Sequence, residues 1–235
     1  MDSGLQRVFS RRHVVLPVVH VESEHQARRN ADLARQAGAD GVFLINHFSD
    51  CEDLLAIHAK VSEDHPDWWI GMNCLDLDPP QMFEFVGDRV SGIWVDHAGI
   101  DERAEEQPLA EDAAAARERS GWDGLYFGGV AFKYQRPVED LARAARLAVR
   151  YMDVVTTSGA GTGIAAAREK IVAMKEAVGG FPLAIASGIT PENVDHYLDV
   201  ADCFLVATGI SRSFTELDPT KVRTLIERVD AHTER

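Results

Sequence analysis

Side chains able to move protons or hold a polar ligand recur directly after short apolar runs of this chain. His20 and Glu22 end or follow Val14–His20, and Asn46, His47 and Asp50 end or follow Gly41–Asn46. Asn73 and Asp76 come at the end of Trp68–Cys74, and Asp96 and His97 at the end of Gly92–Asp96. Lys133 follows Gly124–Phe127, and Thr157 and Ser158 end or follow Asp153–Thr157. A carboxylate beside apolar Ile93 and Trp94 is expected to have a raised pKa, which makes Asp96 the candidate general acid or base. Lys133 would stabilise negative charge developing on a substrate or, if desolvated, form a Schiff base; an exposed loop lysine is the plainer alternative. Asn46 would orient a hydroxyl or carbonyl. His47 could move a proton in either direction near neutral pH, or simply cap a turn. His97 joins Asp96 only if a loop lets adjacent residues face one way. Asp50 is also placed to cap a helix. Asn46, Asp50 and Asp96 are too isolated to argue for a divalent ion, so neither a metal nor another cofactor is expected.

A second set is rich in glycine. Ser158, Gly159, Gly161, Thr162 and Gly163 follow the sixth apolar run, Ser187 and Gly188 the seventh, and Thr208 and Gly209 the eighth. Glycine lets a backbone approach an anion and aim successive N–H groups at it. These residues are therefore the expected contacts for the phosphate of a small molecule. Tight strand-to-helix turns are the alternative explanation.

The elements that must position both sets alternate along the chain. Eight runs, the last two at Leu183–Ala186 and Cys203–Ala207, have the length of buried parallel strands. Between them, amphipathic periodicity predicts helices over Glu24–Gln36, Glu52–Val61, Pro79–Val86, Ala110–Arg119, Val138–Arg150, Ala165–Val178, Pro191–Leu198 and Pro219–Val229. Gly38 suits a helix C-terminus, and Thr190-Pro191 and Asp218-Pro219 suit helix starts. Strict eightfold alternation predicts an α/β fold, a single (β/α)8 barrel domain over residues 1–235 with its core from about 14 to 229. An open doubly wound sheet is the runner-up, but no glycine fingerprint follows the first run. The acidic stretch Asp101–Glu106 is a solvated loop or a lid. Of Trp68 and Trp69, one ring should enter the barrel and the other lie under the helices.

Composition narrows the function classes. Of 235 residues, 24 are Lys or Arg and 38 are Asp or Glu, a net charge of −14. That excludes general nucleic-acid binding and adhesion to an anionic membrane surface, while a few N–H groups could still hold a phosphate. No apolar run approaches the roughly 20 residues needed to cross a bilayer. The polar stretch Met1–Arg12 lacks the core of a signal peptide. Cys51, Cys74 and Cys203 read as free thiols of a cytoplasmic protein.

Three segments carry a family resemblance: Asp153–Gly163, Phe181–Val194 and Ala201–Gly209 look like the BtpA/SgcQ family, related to the ribulose-phosphate-binding barrels. The Asn46-to-Asp50 spacing resembles its second-strand motif, and Lys133 resembles the lysine of its fifth-strand loop. Tyr134 stands where the family often has histidine, Arg212 where a lysine is usual, and the first strand lacks the usual Pro-rich, Gly-containing loop. The resemblance implies a barrel with an anion site, in a family whose members include one linked to photosystem assembly and others near sugar metabolism. The expectation is an enzyme of isomerase or lyase type acting on a sugar phosphate or phosphoribosyl compound, with a second copy of the chain as a candidate partner. A non-catalytic assembly factor and a phosphoribosyl-transferring or nucleoside-cleaving enzyme are the alternatives.

Overall fold

The computed structural model describes residues 4–233. Eight parallel strands close into a barrel in sequence order. They are β1 (Val14–Val21), β2 (Gly41–Asn46), β3 (Trp69–Asn73), β4 (Gly92–Val95), β5 (Leu125–Gly129), β6 (Val154–Thr157), β7 (Leu183–Ala186) and β8 (Cys203–Val206). Closure pairs Val14 with Cys203 and Pro17 with Val206. The outer helices are α2 (Glu24–Gln36), α3 (Cys51–Asp64), α4 (Pro79–Phe85), α5 (Pro108–Ser120), α6 (Leu141–Ala148), α7 (Arg168–Val178) and α8 (Pro219–Thr233), preceded by α1 (Gly4–Phe9). No described helix is long and apolar enough to cross a membrane.

Alternation along each strand divides the core in two. Leu16, Val18, Phe43, Ile45, Trp69, Trp94, Phe127 and Leu205 fill the barrel. Their neighbours, such as Val19, Leu44, Ile70 and Ile93, pack under the helices. A fully buried side chain of this size contributes about 1.5–3 kcal/mol. Room for the large rings comes from inward-facing glycines. A Cβ on Gly92 would lie 2.2 Å from Trp69, and one on Gly71 2.4 Å from Phe43. Trp69 thus enters the barrel, and Trp68 packs among the outer residues, as alternation requires.

Three local expectations need correction. The segment expected as a helix over Pro191–Leu198 has only a 3-10 turn at Val194–His196. There Asn193 accepts from the Thr190 N–H and donates to the Gly188 carbonyl, side-chain bonds that compete with an α-helical start. The short helix α1 was not expected; it buries Leu5 with the barrel-interior residues. Six residues are too few to reveal a helical period. Finally, Cys51 and Cys74 form a disulfide, and only Cys203 is free. Cys51 opens α3 and Cys74 follows β3; adjacent strand ends bring their Cα atoms to 5.3 Å despite a sequence separation of 23.

Candidate active site

Inward-facing strand residues make the walls of a cavity of about 230 Å³ at the C-terminal mouth of the barrel. Val18 and His20, Ile45 and His47, Trp94 and Asp96, and Leu205 and Ala207 line it as pairs two residues apart. Each first member is apolar. On β1, β2 and β4 the second member is polar, so the strand period itself sets a functional group above an apolar floor. Lys133, Thr162, Ser187 and Thr208 reach the same cavity from the loops after β5, β6, β7 and β8.

Asp96 and Lys133 form its polar centre. The Lys133 ammonium lies 3.9 Å from the Asp96 carboxylate. The Asn73 amide, buried one strand away, donates to that carboxylate at 3.0 Å. Burial raises the Asp96 pKa, against the opposing pull of Lys133, Asn73 and His47. The loop carrying Lys133 is tightly held. The Lys133 N–H donates to Ser158 Oγ at 2.8 Å, and the Gln135 amide donates to the Asp96 carbonyl at 2.5 Å. Behind it, the ammonium of Lys170 donates to the carbonyls of Ala131 and Ser158, and burial pushes its pKa down to about 8. Arg136 grips Glu102 at 2.6 and 3.0 Å and holds that carboxyl down at about 2. This pair ties the start of the Asp101–Glu106 loop to the Lys133 loop, while Glu105 and Glu106 are exposed.

Two imidazoles face this pair. The His20 and His47 rings meet edge to face, centroids 4.7 Å apart. Burial, then the charges of His47 and Lys133, lowers His20 to about 4. His47 is also lowered, by desolvation and then by Lys133, with Asp96 opposing. His20 is therefore a neutral imidazole at pH 7, and the shift of His47 is toward the neutral form as well. Strain collects here too. Ala131, Tyr134 and Ser187 have φ of 50°, 62° and 80°, three of the four non-glycine residues with positive φ among those described.

The remaining expected site residues lie elsewhere. Asn46 points away from the cavity, as its position between Ile45 and His47 demands. Its amide donates to Ser49 and Asp76 and its carbonyl accepts from the Leu75 N–H, so it ties two loops together. Asp50 caps α3, and His97 accepts from the Gly99 N–H. Ser158 is fully buried, accepting from Lys133 and donating to the Gly159 carbonyl. Gly159, Gly161, Gly163, Gly188 and Gly209 do not line the cavity. A Cβ would lie 2.1 Å from the Ile164 carbonyl at Gly159, 2.4 Å from the Ala165 backbone at Gly188, and 1.9 Å from the Ile189 carbonyl at Gly209. Gly188 also has φ +76°. Gly188 and Gly209 let the loops after β6, β7 and β8 pack backbone to backbone, and Gly159 lets the β6 loop fold back on itself. The Gly163 N–H is taken by Ser187 Oγ at 2.8 Å.

A second cavity of about 300 Å³ opens beside the first and shares His20, Thr208 and Phe214 with it; Ser211, Arg212 and Ser213 complete its lining. In it the Arg212 guanidinium pairs with Glu216 at 3.5 Å, and Ser211 Oγ donates to the Ala207 carbonyl at 2.8 Å. A larger groove, about 930 Å³, lies against α2 and α8 and is lined by no strand residue. Tyr134, Lys170 and Phe214 were not among the expected site residues. His20 and Asn73 were, and both continue the inward alternation of their strands.

The barrel resembles several solved structures. Phosphoribosyl anthranilate isomerase from Thermus thermophilus is 19% identical, with 93% of this chain and 99% of that one covered and a TM-score of 0.67. (S)-3-O-geranylgeranylglyceryl phosphate synthase from Thermoplasma acidophilum, in complex with sn-glycerol-1-phosphate, is 15% identical over 100% of both chains, TM-score 0.69. Tryptophan synthase subunit alpha from Legionella pneumophila is 11% identical over 98% of this chain and 100% of its own, TM-score 0.68. At these identities the likeness shows the fold. No curated protein matches the chain. The BtpA family model matches residues 109–231, from α5 into α8 and over half of the sequence, and the chain belongs to the BtpA family.

Proposed function

We propose that this protein is an enzyme that moves a proton on a small phosphorylated metabolite, a sugar phosphate or phosphoribosyl compound, in isomerase- or lyase-type chemistry. The observation that carries the proposal is the Asp96–Lys133 pair, 3.9 Å apart over an apolar floor and facing two imidazoles. A carboxylate raised by burial is a competent base for a carbon-bound proton next to a carbonyl. The Lys133 ammonium would stabilise the enolate oxygen that forms. His20 or His47, entering neutral, would carry a proton between substrate oxygens. The phosphate would sit in the adjoining cavity on Arg212, Thr208 and Ser211. Solved relatives in fold whose names contain phosphorylated compounds support that assignment by analogy. The test is deuterium wash-in: a panel of aldose and ketose phosphates is incubated with the protein in D2O and followed by proton NMR. Loss of a signal alpha to a carbonyl is expected. No exchange on any member, with phosphate binding intact, would favour an assembly role.

A further inference from the structure

The two adjoining cavities differ in what lines them. One is lined by Arg212, which pairs with Glu216 at 3.5 Å, with Ser211 and Ser213; the other sets Asp96 and Lys133 over carbon walls formed by Val18, Ile45, Trp94 and Leu205. They meet at His20, Thr208 and Phe214. Seven large apolar side chains are exposed among the described residues, and five of them (Phe48, Leu75, Tyr134, Ile164 and Phe214) sit on loops of the C-terminal face. Such a concentration around a cavity mouth marks a binding surface. The rings are organised. Phe214 lies 4.2 Å from His20, 5.2 Å from His47 and 6.1 Å from Phe48, centroid to centroid, making one continuous aromatic wall. Tyr134, 79% exposed, stands at the rim on a φ of 62° and is fixed by a 3.1 Å bond to Thr162. A strained backbone that presents an aromatic ring to solvent is a feature of a ligand site.

Resting on the phosphate reading above, we infer that the substrate carries a planar, largely apolar group, seated against the His20–Phe214 wall and under Tyr134, while its anion occupies the Arg212 cavity. The size of the chamber that holds Asp96 and Lys133, about 230 Å³, lies below the roughly 300–1,000 Å³ of common ligand sites. It suits one ring rather than a long chain or a protein segment. Aromatic walls reward a flat partner through edge and offset contacts. The group nearest Asp96 and Lys133 is then the planar one, and proton transfer occurs at a carbon attached to it.

The experiment is calorimetric titration of the full chain with inorganic phosphate, glycerol 1-phosphate, phenyl phosphate and benzyl alcohol. Phenyl phosphate should bind about tenfold more tightly than glycerol 1-phosphate, the gain expected from burying one ring face. In Phe214→Ala and in Tyr134→Ala, both at exposed positions, that preference should shrink to about twofold or less. Equal affinity for the two esters, or a preference that survives in both variants, overturns the inference and leaves the phosphate reading standing. Binding of benzyl alcohol without any phosphate binding supports the ring seat and removes the phosphate anchor instead. Wild-type self-association that both variants abolish, with no preference between esters, makes the rim a contact between copies and also overturns the inference.

Discussion

His20 makes the fold sensitive to mild acid by a calculable amount. Its pKa falls from 6.5 to about 4 on folding, chiefly through burial. The unfolded chain therefore takes up a proton more readily between these values, so the stability is complete above about pH 6.5 and is lost as pH falls toward 4. At pH 5 the unfolded imidazole is almost fully protonated and the folded one about one-tenth so, which amounts to about 2 kcal/mol. His20→Phe keeps a ring against His47 and Phe214 and removes the titration. Urea unfolding free energies of wild type and variant should be compared at pH 7.5 and pH 5. Wild type should lose about 2 kcal/mol more than the variant between the two conditions. His13, His47 and His58, also lowered by burial, remain in both proteins and largely cancel in the comparison. Parallel losses would refute the claim that His20 is held neutral by its surroundings.

Gly188→Ala should cost at least about 2 kcal/mol in urea unfolding, because it adds a Cβ at positive φ against the Ala165 backbone. Gly87→Ala, where a Cβ would meet nothing within 4 Å, is the control and should change little. Thiol titration of the denatured, unreduced protein should find Cys203 alone, and three reactive thiols would contradict the Cys51–Cys74 bond. Reducing that bond should lower stability by about 3 kcal/mol on the loop-entropy relation. Lys170→Met removes the charged donor shared by the Ala131 and Ser158 carbonyls and should cost about 1–3 kcal/mol, measured by urea unfolding.

The barrel was legible because parallel strands buried on both faces leave unmistakable apolar runs, and the caps at Gly38 and Asp218 bounded the helices. Asp96 was legible for the same reason: it stands two residues after Trp94, on the face that alternation turns inward. That rule, applied to β2, separates His47 from Asn46, which only looks catalytic when strand parity is ignored. The glycines were ambiguous because close backbone packing and anion binding call for the same residue. Whether a Cβ at Gly188 or Gly209 would strike a neighbouring loop depends on Ala165 and Ile189, which lie far off in the chain, and a single sequence does not encode that distance locally. The disulfide and the Lys170 bridge were hidden likewise, since both join segments that only the closed barrel brings together. The apolar rim escaped notice because Phe48, Tyr134 and Phe214 are scattered along three loops.

In the proposed function, Asp96 moves a proton on a ligand anchored elsewhere in the same mouth. Asp96→Asn tests it most directly, since the amide preserves shape and can still meet Asn73 while losing basicity. The measurement is solvent-deuterium exchange into a phosphorylated substrate that the wild type exchanges, with affinity for the same compound measured in parallel. The variant should bind the compound within a few-fold of wild type and exchange it about a hundredfold more slowly or worse. Exchange at the wild-type rate in a variant that still binds would contradict it.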